Sequence, residues 1–386
     1  MPSIYSTIAL LASAAHTFAA PKPGEGSSVP RIRTNATNEP IVKHYKVFQK
    51  YQVDAPAKVA AAVGGGKTGS ISSNAQAYDA EYISPVTVGR NQLNLDFDTG
   101  SSDLWVFSTI TPRYESFGHN LYDVRTGSRE HGETWTIQYG DGSESSGIVY
   151  TDRVAVGGAT VTRQAVEAAT SVSSQFQSGA SDGLLGLGYE SGNTCSQNQC
   201  QTFFGNFQQY AKQPLFTADL QTHGGSYDFG YIDGSKYVGD ISYVNVLQQR
   251  PSYWDFTAGA YYINGRHGGS IGYSVMDTGT SLWYLPSKAV AAFYRSIATA
   301  TTLQGLHVFS CNDETVPDFS VDIGGQTFTV PASALSQEPL GDGSGYCVGS
   351  IQPNTGLPGS IFGDAFMKNF FVVFDLGDNQ IGVANQ

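Results

Sequence analysis

Polar and apolar side chains alternate in short runs broken by glycine-rich turns, the pattern of half-buried β-strands rather than of long helices. The 45 glycines, 22 tyrosines and 21 phenylalanines, with abundant serine and threonine, suit tight turns and pleated faces, so a mostly β protein is expected. One segment breaks the pattern. Residues 4–20 are apolar with no charged side chain and too short to span a bilayer, and Thr17-Phe18-Ala19 offers small residues at both recognition positions of a signal-peptidase site. Residues 1–19 therefore read as a secretory signal, with a buried N-terminal helix as the alternative; only the terminal amine supplies its positive charge. No later segment has the apolar length of a membrane span and no hydrophobic anchor ends the chain. A soluble, secreted product without a membrane partner is expected.

Charge divides the chain. Residues 20–67 form a leader in which eight Lys and Arg face three acids, a net of +5, whereas the remaining 13 basic and 30 acidic residues give −17. A basic leader on an acidic body is held by Coulomb attraction while the carboxylates are ionised and released as they protonate, the logic of an acid-triggered proenzyme. The alternative is a leader that merely solubilises. The run Ala60 to Gly69 reads as an accessible junction, which places maturation near Lys67. Gly64, Gly66 and Gly69 formally satisfy GxGxxG, but no apolar strand precedes them, and Ala61 stands where a P-loop needs its first glycine. The sequon Asn35-Ala36-Thr37 lies in the leader, so a mature chain cut there carries no N-linked sugar. The overall net charge of −12 disfavours nucleic acid as a partner. The chain is long enough, at 386 residues and 40% hydrophobic, for more than one lobe.

The most informative feature is an internal repeat. Leu95-Asp96-Phe97-Asp98-Thr99-Gly100-Ser101-Ser102 recurs 179 residues later as Ser274-Val275-Met276-Asp277-Thr278-Gly279-Thr280-Ser281. Leu104-Trp105 and Leu282-Trp283 follow the two copies. Leu184-Leu185-Gly186 then follows the first Asp, with its Gly at +88, and Ile361-Phe362-Gly363 the second, at +86. An isolated Asp-Thr-Gly is most simply an Asx turn. Two correlated copies imply two similar lobes related by a pseudo-twofold axis, each with an acid at the end of a buried strand.

Equivalent residues of such a pair can meet at the axis. Two carboxylates roughly 4 Å apart repel by about 4 kcal/mol at an effective dielectric near 20, about three pKa units, so one proton is shared. One group is then a base and the other an acid over a common acid range. A water between them can be deprotonated by the first while the second protonates a carbonyl oxygen, with no acyl-enzyme.

At these residues the chain resembles the pepsin family of aspartic proteases, most closely the secreted fungal aspergillopepsin, penicillopepsin and endothiapepsin group, over about Tyr82 to Ala384. The resemblance implies an all-β, bilobal pepsin-like fold with lobes at 68–238 and 239–386, a shared base sheet and a cleft between them. It implies Asp98 and Asp277 as the catalytic pair, and Thr99 and Thr278 bonding across the axis to the opposite lobe's backbone. Gly100 and Gly279 complete the two turns. Ser101 and Thr280 would support the outer carboxylate oxygens. Gln138-Tyr139-Gly140-Asp141-Gly142-Ser143, between alternating runs, reads locally as a hairpin tip. The resemblance makes it a flap, with Tyr139 reaching the indole of Trp105, and Gly140 and Asp141 offering main-chain hydrogen bonds to substrate. It also assigns Asp141 and Ser143 to acceptance of Lys at P1 beside large apolar side chains, Phe176 and Leu184 to the wall of that pocket, and Asp96 to subsite contact.

Four cysteines lack the repeated CxxC spacing of a zinc ribbon, so no metal is expected. By resemblance Cys311 and Cys347 form the second lobe's disulfide; Cys195 and Cys200 read most simply as a small second one, although four cysteines allow three pairings. No cofactor is implied. Extended peptide and protein substrates and pepstatin-type inhibitors are the expected partners of a monomer. HExxH is absent and no GxSxG nucleophile elbow is found, the bare pattern falling only at Gly179 to Gly183 and Gly268 to Gly272, and a glycosidase would not need its carboxyls in duplicated Asp-Thr-Gly turns. A pepsin-like binder that has lost catalysis is the different-class alternative, but both acids, both Thr-Gly pairs, Tyr139 and Trp105 are intact. Met276 and Trp283-Tyr284 depart from the fungal pattern, with altered packing beneath Asp277 or a narrowed pocket as the expected effect.

Overall fold

The computed structural model describes residues 67–75, 82–140, 142–250, 252–303, 305–340 and 343–386. The expected signal, the leader up to residue 66, the sequon and Asp141 lie outside the described residues.

Strands dominate, as the alternation predicts, and the longest α-helix among the described residues is the two-turn Ser287–Tyr294. They form sheets of 13, seven and four strands. The largest begins with Val238–Asn245 and passes through the C-terminal hairpin Gln380–Asn385 and Phe370–Asp375 to Leu215–Gln221, Gly224–Phe229 and Gly69–Ala75. It continues through Tyr82–Val88 and Asn91–Asp98 into the first half. The final residues of the chain therefore pair antiparallel with a strand of the first half, Phe374 opposite Phe216. This is the base on which an all-β, bilobal molecule is built. Every residue of Phe370–Asp375 is buried, as befits a strand covered on both faces. Asn91–Asp98 instead alternates, with Leu93, Leu95 and Phe97 facing the core, and delivers Asp98 at its end.

Aromatic packing ties the halves together above this sheet. Phe216 and Phe374 stack with centroids 4.7 Å apart, and Trp254 meets them edge-on at 5.8 and 5.2 Å. The Trp254 indole N–H donates to the Leu187 carbonyl at 2.9 Å, so its polar end is satisfied inside the core. Phe97, one residue before Asp98, packs 4.9 Å from Tyr227. Met276 and Trp283 are likewise wholly buried. Trp283 lies among Phe319, Phe362 and Phe366, so it fills the core of the second half and narrows no pocket. Tyr284 is only partly buried.

Phe374→Ala removes a side chain that is 0% exposed and leaves a cavity between the halves. The expected loss is about 3–5 kcal/mol, read as a lower urea midpoint at unchanged slope. An unchanged midpoint would show that this contact does not join the halves.

Candidate active site

Each half builds the same turn. The strand Gly183–Gly186 runs parallel to Asn91–Asp98, with Gly186 opposite Asp98, and Leu104–Val106 folds back antiparallel against Gly183–Gly186. In the second half Ser360–Phe362 runs parallel to Arg266–Met276, and Trp283–Leu285 folds back on it. The chain must pass between its own strands at both places, which is why the two glycines recur. A Cβ on Gly186 would press on the Asp103 amide, and one on Gly363 would overlap the Thr280 carbonyl.

The two turns then grip each other. Thr99 N–H donates to Thr278 Oγ1 and Thr278 N–H to Thr99 Oγ1, both at 3.0 Å. Thr99 Oγ1 donates to the Met276 carbonyl at 3.0 Å and Thr278 Oγ1 to the Phe97 carbonyl at 2.5 Å. These hydroxyls therefore reach the backbone residue preceding the opposite Asp.

The grip sets the carboxyl groups face to face. A Cβ on Gly100 would lie 2.5 Å from Asp277 Oδ1, and one on Gly279 would overlap Asp98 Oδ1, so each carboxyl occupies space that only the opposite glycine leaves open. Asp98 Oδ1 accepts from Gly100 N–H at 2.7 Å, and Oδ2 accepts from the Ser101 hydroxyl. Asp277 repeats this with Gly279 N–H at 2.9 Å and Thr280 Oγ1 at 2.7 Å. Burial, and then repulsion by Asp277, push the Asp98 carboxyl up to about 7, against the pull of its Ser101 and Gly100 donors. Desolvation is the larger cause.

The hairpin over this site pairs Ser128–Gln138 with Glu144–Val156, Gln138 opposite Glu144. Its tip is closed by Tyr139 N–H donating to the Ser143 carbonyl at 2.9 Å and Gly142 N–H to the Tyr139 carbonyl at 3.0 Å. Gly142 sits at φ +83°, which favours glycine. The Trp105 indole N–H donates to the Tyr139 hydroxyl at 2.8 Å. Phe176 meets both rings edge-on, at 5.0 Å from Trp105 and 5.4 Å from Tyr139, and the buried Leu184 joins the same apolar cluster. Asp96 lies two residues before Asp98 on the same strand face. Gly140 has open space around its α-carbon, whereas Ser143 is buried at the root of the tip.

Two disulfides are present, Cys195–Cys200 and Cys311–Cys347, with Cα separations of 5.8 and 4.9 Å. Glu167 lies close to the first pair, but both sulfurs are spent in the bridge and offer no thiolate to a metal.

Two interlocked turns with opposed carboxyls beneath a hairpin define the aspartic protease class of site. Residues 81–386 match the model of the eukaryotic aspartyl protease family. The chain belongs to that family and is an aspartic-type endopeptidase. It is 44% identical to penicillopepsin-1 of Talaromyces stipitatus over 90% of this chain and 89% of that one. It is 41% identical to penicillopepsin-3 of Penicillium janthinellum, over 92% and 91% of the two chains, and 42% identical to aspergillopepsin-1 of Aspergillus fumigatus, over 95% and 94%.

Two further carboxyls beside the site, Asp103 and Glu167, are not singled out by the sequence. Both are buried, at 0% and 1% exposure. The available signal was the one-residue difference between the copies, since Asp103 separates Ser102 from Leu104 whereas Ser281 runs directly into Leu282.

Thr278→Val deletes two donated or accepted bonds of the grip and strands the Phe97 carbonyl and the Thr99 amide in a dry site. A loss of about 1–3 kcal/mol per unsatisfied group is expected in denaturant titrations. A variant as stable as the parent would mean the grip does not hold the halves together.

Proposed function

We propose that the chain is a secreted endopeptidase that cleaves extended peptides in acid by direct attack of water held between Asp98 and Asp277. The observation that carries this is the placement of each carboxyl against the other turn's glycine, which forces the two acids to share a proton. The ionised carboxylate takes a proton from water as its oxygen attacks the scissile carbonyl carbon, while the neutral carboxyl gives its proton to the carbonyl oxygen. Collapse of the resulting diol returns a proton to the nitrogen, breaks the C–N bond and leaves the dyad with one proton again. Thr99, Gly100, Ser101, Thr278, Gly279 and Thr280 hold the carboxyls in place. Tyr139, Gly140, Asp141 and Ser143 form the flap, and Trp105, Asp96, Phe176 and Leu184 line the subsites beneath it.

An extended segment of about seven or eight residues, bonded through its main chain, is the substrate form that suits such a cleft. Large apolar side chains are preferred at the scissile bond, supported by the apolar cluster of Phe176, Leu184 and Trp105. Lys at P1 is accepted through Asp141. Residues 20–67 act as a basic prosegment lost on acidification, after removal of the signal at 1–19. Maturation falls near Lys67, which stands at the junction with the body, its N–H donating to the Tyr210 carbonyl at 2.7 Å. The lobes divide near residue 238, at the start of the base sheet's edge strand Val238–Asn245. The enzyme acts as a monomer, is blocked by pepstatin-type inhibitors and needs no cofactor. Among the described residues no helix is long and apolar enough to cross a membrane.

Acidifying the full chain, following the leader by mass spectrometry and digesting a denatured protein tests the scheme. Asp98→Asn and Asp277→Asn should each abolish cleavage, as should pepstatin; persistence of cleavage in either variant ends the proposal. The carboxyl pushed up to about 7 keeps its proton well above the ordinary range of 3.8. The working form is thus present in acid and lost as pH rises through about 7, giving a kcat/KM that falls about tenfold per pH unit beyond it. A profile that is flat across neutrality would refute the shared proton.

For Asp141→Ser, cleavage after Lys should drop about fivefold relative to cleavage after Phe, the worth of one exposed ion pair. An unchanged ratio in a peptide library removes Asp141 from specificity.

A further inference from the structure

The halves differ beside the dyad. Trp105 pairs in register with Glu167, on the strand Ala159–Val172, where the second half pairs Trp283 with Ile351. The second half also lacks a residue matching Asp103. The same turn thus folds with an isoleucine and no inserted acid, and the fold itself does not call for two buried carboxyls.

Their partners are specific. Asp103 Oδ1 accepts from Thr194 N–H at 2.9 Å and Thr194 Oγ1 at 2.8 Å, and Glu167 Oε1 accepts from Asn193 Nδ2 at 2.9 Å. The remaining oxygens, Asp103 Oδ2 and Glu167 Oε2, are buried with no amide, hydroxyl or amine donor, and the two carboxyls lie within reach of each other, where only a proton between them can satisfy both. A bond between two carboxyls exists only with a proton in it. Tyr139 on the hairpin feels both carboxyls together with Asp98, and Glu133 on the hairpin strand binds the amides of Gln197 and Asn198 farther along the adjoining segment. No Lys, Arg or His acts on either carboxyl among the described residues. The Cys195–Cys200 bridge closes the cluster, with Cys195 Sγ 3.8 Å from Glu167 Oε1, and does not titrate.

The pair is joined to both the Asp98 turn and the Tyr139 hairpin through short links. The Asp103 carbonyl accepts from Gly186 N–H at 2.9 Å, Gly186 lies opposite Asp98, and Leu187 N–H donates to the Asp98 carbonyl at 2.7 Å. Asn193 Nδ2 also donates to the Ser102 carbonyl at 3.2 Å. Two residues on, Trp105 holds the flap hydroxyl. We propose that Asp103 and Glu167 are positioning residues for the reaction: one proton shared between them clamps the end of the Asp98 loop and the Trp105 strand to the 193–195 segment, and its loss releases both.

Burial raises both groups above the ordinary carboxylate range, and repulsion by Asp103 adds to it for Glu167. A raised group gives its full contribution below the ordinary pKa and loses it as pH rises through the raised value, so the clamp is closed in acid and opens toward neutrality.

Glu167→Gln puts an amide donor where the proton was, and Asp103→Asn does so from the other side. The acid-treated full chain is held at neutral pH for increasing times and then assayed in acid, where reversible titration of the dyad cancels. Each amide variant should keep its activity about tenfold longer than the parent, the factor one pKa unit carries. A soluble amide variant that inactivates at the parental rate overturns the proposal. Hydrogen exchange on the unaltered protein, corrected for intrinsic rates, gives a second arm that needs neither variant. Protection in 193–200 should fall about tenfold from acid to neutral pH while 215–221 keeps its own; constant protection in 193–200 also overturns the clamp. This arm does not depend on the endopeptidase function on which the activity arm rests, so an inactive chain that still shows the change would sink that function and leave the clamp standing.

Discussion

Each Asp-Thr-Gly turn in this molecule is completed by the other. Thr99 and Thr278 exchange amide-to-hydroxyl bonds and then reach the carbonyls of Met276 and Phe97, so neither turn has its partners until the opposite half has arrived. What the grip imposes is unfavourable by itself, because two ionised carboxyls in contact would repel by about 4 kcal/mol at an effective dielectric near 20. The shared proton of the proposed mechanism would relieve most of that repulsion, and the donors from Gly100, Ser101, Gly279 and Thr280 hold the carboxyls in one orientation. Site chemistry and the association of the halves are consequently one problem with one solution.

The rest of the fold keeps that arrangement from relaxing. The base sheet carries the last strands of the chain into the first half, and the Phe216, Trp254 and Phe374 rings fill the space above it. Gly186 and Gly363 let each strand pass so close to its turn that no side chain larger than hydrogen fits. The carboxyls are thus fixed by backbone and core, while the hairpin bearing Tyr139 is tethered at its tip by the Trp105 bond and by ring contacts with Phe176. A rigid dyad under a lightly tethered flap suits a site that must open for a peptide and then close over it.

Much of this was legible in the sequence because the information is local and written twice. Asp-Thr-Gly, the leading apolar residues and the hydrophobic-hydrophobic-Gly echo each occupy a few positions, and duplication turned a common turn motif into evidence for symmetry. The link from Tyr139 to Trp105 spans 34 residues and came from family resemblance, since no periodicity encodes it. Asp103 and Glu167 were not legible as a pair. They meet because the strand register sets Trp105 beside Glu167, a long-range fact to which neither local pattern points. The burial of Trp283 had the same origin: the departure from the fungal pattern was visible, but only the surrounding Phe319, Phe362 and Phe366 show that it faces the core.

One physical effect acts in the same direction throughout the first half. Burial raises Asp98, Asp103 and Glu167, and it raises the Tyr139 phenol, which also feels the field of all three acids. At Asp228 a buried carboxylate is met by Lys236, but no Lys, Arg or His of the described residues is among the main influences on these four groups. The only way to neutralise the acids is by proton, and protons are abundant only in acid. Buried carboxyls without a cation therefore favour the protonated side of their titration, which is consistent with the proposed action in acid. The second half keeps the matching turn with Ile351 in place of a carboxyl, so this buried pair belongs to the half that carries Tyr139. Asymmetry between otherwise duplicated halves then marks where a symmetric scaffold became directional: Tyr139, Asp103 and Glu167 all belong to one half.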